Sequence, residues 1–126
     1  MQKRAGILFL SKKTRRILLI LEDQKWTVPT FPRKSNLLED AKDLLADYSQ
    51  GKILPIELYL SEDRGFEYGT YLCLVEEEFL TSASKTIAWC DLDDLPKQLH
   101  TGLKITLTNQ LIRTKIDTVL DLTSEI

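Results

Sequence analysis

Asp40, Asp43 and Asp47 recur at intervals of three and four residues. On a helix, at about 100° per residue, they fall within an arc of roughly 60°. Like charges so placed repel one another by a few tenths of a kcal/mol per pair. A bound cation would remove that repulsion. A hard divalent ion such as Mg2+ takes oxygen ligands at about 2.0–2.1 Å and keeps several waters, so a few carboxylates on one side of a helix can hold it. Such an ion can neutralise phosphate charge and help to generate a hydroxide nucleophile. The competing account is plainer: acids on the flank of an amphipathic helix are ordinary solvated surface. Sequence alone leaves both accounts standing.

The segment carrying these acids reads as the clearest element of the chain. Asn36 suits an N-cap, and Glu39 sits where a capping-box acid reaches back. Leu37, Leu38, Ala41, Leu44, Leu45 and Tyr48 share one face at helical spacing, and Gly51 suits a helix stop. A helix over Leu37 to Gln50 is expected, with the aspartates flanking its apolar stripe. Before it, Ala5 to Leu10 and Ile17 to Leu21 are apolar runs joined by a polar, basic connector, which predicts a β-hairpin. Trp26 to Pro29 reads as extended, and Thr30 to Ser35 as a loop. After it, Ile53 to Leu60, Phe66 to Val75 and Thr86 to Cys90 read as strands, with a polar turn at Ser61 to Gly65. Asp91 to Pro96 reads as a turn with Asp93 and Asp94 as turn formers. Leu103 to Leu120 reads as a closing helix with Leu107, Leu111, Ile112, Ile116, Val119 and Leu120 as its buried stripe, weakened by its threonines. Helices separated by several strands predict a single α/β domain over residues 1–126, with a mixed sheet between helices.

Composition narrows the function classes. The chain has 126 residues, 43% of them apolar, enough for one core. Its net charge is -2 with both signs interspersed, so nothing forms the basic footprint of a nucleic-acid binder. The one dense basic stretch, Lys12, Lys13, Arg15 and Arg16, is expected to be a solvated hairpin turn. No run approaches the ~20 apolar residues of a membrane span. Lys3 and Arg4 precede a short apolar run without a small-residue cleavage site, which is not a signal-peptide pattern. Cys73 and Cys90 are the only cysteines. Each lies in an apolar run, so buried free thiols and a cytoplasmic setting are expected. With one histidine they fall short of an ordinary zinc ligand set.

Three stretches together resemble the Nudix family. Ala5-Gly6-Ile7-Leu8-Phe9-Leu10 matches its opening strand, followed by a turn and Ile17-Leu18-Leu19-Ile20. Trp26-Thr27-Val28-Pro29 matches the tryptophan-x-aliphatic-proline step before the family's catalytic box. Ile87-Ala88-Trp89-Cys90-Asp91-Leu92-Asp93-Asp94-Leu95-Pro96 matches a late strand and its acidic turn. The resemblance spans nearly the whole chain, and the order of the pieces carries it. The box itself is degenerate. Thr30-Phe31 stands where the family has a glycine pair, and two registers fit the helix. With Leu45 in the aliphatic position, Asp43 replaces the arginine and Asp47 takes the second glutamate. With Leu44 there, Lys42 stands for arginine, Asp43 for the first glutamate and Asp47 for the third. Neither register keeps all three acids.

The resemblance implies an α/β/α fold and hydrolysis of a nucleoside diphosphate linked to another group. It implies Mg2+ or Mn2+ on Asp40, Asp43 and Asp47, with Asp43 and Asp47 catalytic. Trp26, Phe31 and Tyr68 fall near the family's substrate cleft, where Phe31 and Tyr68 could stack on a base, while Trp26 better suits core packing. Arg64 could meet a phosphate. Later acids, among them Glu62, Asp63 and Glu67, are candidates by type, with no spacing that selects one. His100 reads as a surface or helix-entry residue. Two classes of function follow. One is a weak metal-dependent hydrolase; the other is a non-catalytic module that binds a nucleotide or a protein partner. The persisting acidic arc favours the first; the lost glycine pair favours the second, because glycine adopts backbone conformations closed to Thr30 and Phe31.

Overall fold

The computed structural model describes residues 2–34, 54–79 and 86–124. The expected helix over Leu37 to Gln50, with Asp40, Asp43 and Asp47, lies outside the described residues. Seven strands are β1 (Gln2–Ser11), β2 (Arg16–Glu22), β3 (Lys25–Thr27), β4 (Thr30–Pro32), β5 (Leu54–Asp63), β6 (Phe66–Val75) and β7 (Ile87–Asp91). Two helices follow among the described residues, α1 (Thr101–Thr108) and α2 (Gln110–Ser124). The strands form one mixed sheet in the order β3-β2-β1-β6-β5, with β4 paired to β1 and β7 to β2. Among the described strands the central β1–β6 pair is parallel, in register from Gln2↔Phe66 to Ser11↔Val75, and the other strand pairs are antiparallel; an isolated parallel bridge also joins Trp26 to Leu99. No helix among the described residues is long and apolar enough to cross a membrane.

From Ala5 to Ser11 both faces of β1 are buried, which explains its nearly unbroken apolar run. Leu8 and Leu10 face one core with Ile17, Leu19, Leu72, Leu74 and the helix residues Leu103, Leu107, Ile112, Ile116 and Leu120. Ala5, Ile7 and Phe9 face the other with Leu18, Cys73 and Val75, against which Phe31, Phe79 and Trp89 pack. The Phe79 ring meets Phe9 and Trp89 edge-on at 5.5 and 5.4 Å between centroids, and Trp89 Nε1 donates to the Phe79 carbonyl at 3.1 Å.

The structure corrects three boundaries, each for a tertiary reason. Thr30 to Pro32 is a strand rather than a loop, because it pairs with Arg4 to Gly6 of β1. β5 runs through the polar residues to Asp63, because Glu62 and Asp63 pair with Glu67 and Phe66. The turn is then only Arg64-Gly65, both at positive φ (47° and 80°), the conformation that matches the twist of a tight hairpin. The closing helix is split at Asn109, whose extended backbone (φ -70°, ψ 122°) ends α1. Its side-chain oxygen accepts from the Leu111 and Ile112 amides at 3.0 and 3.2 Å and so caps α2. Thr106 and Thr108 donate back to the carbonyls of Gly102 and Lys104, which weakens continuity over the same stretch.

The basic connector is the β1–β2 turn, and its charges are met. Since Ser11 is level with Val75, the next residues of the two strands face each other. Lys12 pairs with Glu76 at 3.5 Å, Lys13 with Glu77 at 3.9 Å, Arg16 with Glu78 at 2.6 Å and Arg15 with Asp121 at 4.0 Å. Such exposed pairs are worth about 0–1 kcal/mol each.

Cys73 and Cys90 are both free thiols, Cys73 buried. Burial pushes the Cys73 thiol from its ordinary 9.0 up to about 12. The unfolded chain therefore loses this proton first as pH rises. The associated stability is whole below about pH 9 and is lost between about pH 9 and 12, by up to about 1.4 kcal/mol per pH unit. Denaturation at stepped pH should show Cys73→Ala losing stability less steeply over that window than the parent chain. Equal slopes would contradict the assignment.

Candidate functional site

Gly6 lies in the middle of β1 on the helix-facing side, level with Thr30 of β4 and Thr70 of β6. A Cβ there would fall on the Tyr68 hydroxyl and come 3.1 Å from its Cζ and 3.2 Å from Val28 Cγ2. Glycine is thus what lets the Tyr68 ring lie across the strand. Above this floor the chain opens a cavity of about 460 Å³. Its walls come from Glu22, Thr27, Val28, Thr30, Tyr68 and Thr70 of the sheet side and from His100, Gly102, Leu103 and Thr106 at the start of α1.

Backbone pairing brings α1 to this place. The Trp26 amide donates to the Gln98 carbonyl at 2.7 Å, and the His100 amide to the Trp26 carbonyl at 2.8 Å. The segment before α1 therefore runs alongside β3 and sets His100 at the helix entry, as an exposed N-cap whose side chain makes no capping bond. The other end of α1 is held by α2. Arg113 of α2 reaches the turn after β7, pairing with Asp93 at 3.0 Å. Asp91 orders that turn by accepting from the Asp93 and Asp94 amides.

The cavity is mostly hydroxyl and apolar. Arg4 borders it: its Nη2 donates to Thr30 Oγ1 at 3.0 Å. Burial raises the Tyr68 phenol above its ordinary range, and the Arg4 charge works in the opposite sense. Tyr68 is thus a neutral hydrogen-bonding ring at any physiological pH. An aromatic ring, an apolar wall at Val28 and Leu103 and a few polar side chains, the threonines with Glu22 and His100, are the make-up of a small-molecule site.

Of the residues singled out from sequence, Tyr68 is brought into this cavity. Phe31 points the other way along β4 and packs against the opposite core. Arg64 is exposed in the β5–β6 turn and does not line the cavity. Trp26 packs against the helix-side core. Asp40, Asp43 and Asp47 lie outside the described residues. Among the described residues no group of three or more histidines, cysteines and carboxylates is placed to hold a metal ion. Sequence reasoning passed over Arg4, Thr30, Thr70 and His100 as members of one site. The alternation of β1 carries a signal for Arg4, which falls on the same face as Gly6, Leu8 and Leu10.

No family model matches the sequence, and no curated protein matches it. Solved structures do match. The Nudix hydrolase RenU from M. smegmatis is 18% identical over 93% of this chain and 87% of its own, with a TM-score of 0.67. A C. elegans Ap4A hydrolase binary complex is 13% identical over 94% of this chain and 99% of its own, TM-score 0.61. The MutT NUDIX hydrolase from Burkholderia pseudomallei is 20% identical over 85% and 97%, TM-score 0.52. Likeness at such low identity speaks for architecture, and with the mixed sheet and closing helices described above it shows that this chain has a Nudix-like fold.

Proposed function

We propose that the chain binds a nucleoside diphosphate linked to a further group in the cavity at Tyr68 and hydrolyses it slowly with the help of a divalent ion. The carrying observation is the cavity: a neutral aromatic ring over Gly6, apolar walls and threonine hydroxyls, bordered by an arginine. Tyr68 can stack on a base, and the hydroxyls can bond to base or ribose. The hydrolase names of the structural neighbours support the same class of chemistry. In this reading Asp40, Asp43 and Asp47 hold Mg2+ or Mn2+, with Asp43 and Asp47 closest to the reaction. Such an ion supplies charge neutralisation at the diphosphate and a more acidic water. Phe31 and Arg64, also candidates for substrate contact, stand outside the cavity and carry none of this proposal. The free thiols fit the cytoplasm as its setting.

Activity is expected to be weak. Aspartate is a methylene shorter than the family's glutamate, and a misplacement of about 1 Å can cost on the order of a hundredfold in rate. A specific observation favours the second reading, binding of a nucleotide or a protein partner without turnover. Thr30 and Phe31, in place of the glycine pair, are committed to β4: Thr30 accepts from Arg4, and Phe31 packs into the core. The experiment is turnover of a nucleoside diphosphate panel with Mg2+ or Mn2+, alone and after Asp43→Glu with Asp47→Glu. Slow, metal-dependent hydrolysis that the longer acids accelerate is the expected result. Tight metal-free nucleotide binding, with no turnover in either protein, would replace the hydrolase reading by the binding module.

A further inference from the structure

The cations along the first two strands are nearly all matched by acids. Lys3 pairs with Glu67 at 3.9 Å, and Lys12, Lys13, Arg15 and Arg16 each have a carboxylate of their own. Arg4 differs. It is half-buried, faces the cavity side of the sheet, and has no carboxylate among the described residues. Its neighbours across the sheet are Tyr68 on one side and Pro32 on the other. Its one hydrogen bond, to the Thr30 hydroxyl, uses one of five guanidinium donors. A guanidinium withdrawn from water without an anion is unfavourable, and a planar fork of this kind matches phosphate oxygens in pairs. The Thr30 contact orients it, because the hydroxyl that accepts from Arg4 also lines the cavity.

We propose that Arg4 is the phosphate anchor of this site: its guanidinium, oriented by Thr30, holds the diphosphate of the ligand at the Tyr68 end of the cavity. This rests on the nucleotide reading above and adds a direction to it. The nucleoside lies over Gly6 and toward Val28 and Leu103, and the diphosphate leaves past β4. Binding of the anionic part is then carried by β1, separately from any metal held by the aspartates. Lysine at this position supplies a point charge without the fork and restores only part of the effect.

The test is calorimetric titration in EDTA with adenosine, guanosine and their 5′-diphosphates. The parent chain should bind a diphosphate about 10- to 100-fold tighter than its nucleoside, the range of charge-assisted hydrogen bonds. Arg4→Met should erase that increment and leave nucleoside affinity within about twofold, a pattern that general destabilisation does not give. Arg4→Lys should restore part of the increment, and Thr30→Val should lose a smaller share. Should Arg4→Met fail to fold, the Lys and Val variants decide by the same ratio. An unchanged ratio of diphosphate to nucleoside affinity overturns the anchor and leaves the nucleotide site standing. Diphosphate binding that appears only when Mg2+ replaces EDTA overturns the anchor alone; no binding of any of the four compounds by the parent chain in either condition overturns the nucleotide reading, and the anchor with it.

Discussion

Leu107→Ala and Ile116→Ala should each cost about 2–5 kcal/mol, the range for emptying a tightly packed aliphatic site. Leu107 is 1% exposed and Ile116 0%, and both belong to the core between the helices and the sheet. A small domain holds about 5–15 kcal/mol in all, so either change removes a large share. The same truncation at Leu111, which is 82% exposed on α2, should stay within about 0.5 kcal/mol. Urea midpoints of the three variants check this directly. A loss at Leu111 as large as at Leu107 would mean that α2 presents a different face to the sheet. The site depends on this packing, because α1 brings His100, Gly102, Leu103 and Thr106 to the cavity only while the helix pair is seated.

The larger functional effect is expected at Gly6. In Gly6→Ala the new Cβ meets the far end of the Tyr68 side chain, with Cζ 3.1 Å away, and Val28 Cγ2 at 3.2 Å. The tip of a tyrosine can swing, so the fold should survive at a cost of about 1 kcal/mol. The ring, however, leaves its place over β1. Stacking on an aromatic ring is worth about 1–3 kcal/mol per base, so nucleotide affinity should fall from about fivefold to over a hundredfold. Tyr68→Ala should show a comparable loss. Adding Gly6→Ala to Tyr68→Ala should then cost little more, because both act through one contact. Fully additive losses in the double variant would mean that Gly6 acts on binding by another route.

Much of this architecture is visible in the sequence. The apolar alternation and turn chemistry locate the β1–β2 hairpin and β6, whose bounds Phe66 to Val75 match the expected run. Periodicity places Leu107, Leu111, Ile112, Ile116, Val119 and Leu120 on the buried face; five of them lie in or against the core, but Leu111 is 82% exposed, because the break at Asn109 starts a separate helix that turns Leu111 outward. Local signals fail where distant partners decide. Thr30-Phe31-Pro32 looks like a loop until β1 pairs with it, and Glu62-Asp63 looks like a turn until β6 does. The break at Asn109 was open to inference from its capping chemistry, but the surrounding apolar stripe conceals it. The site is the least legible part. Arg4, Thr30 and Tyr68 are far apart in sequence and meet only because β4 and β6 flank the same end of β1. Nothing local announces that crossing. Tyr68 was reachable through the family resemblance alone.

The cavity between Tyr68 and α1 is the proposed seat of the nucleoside diphosphate. Amide chemical shifts followed during titration with ADP and GDP, without metal, test it most directly. The predicted result is a saturable set of changes centred on Gly6, Thr27, Thr30, Tyr68, Thr70 and Gly102, with the β1–β2 turn at Lys12 and Lys13 unmoved. Saturable changes centred on that basic turn or on another surface, with the cavity residues silent, would contradict it.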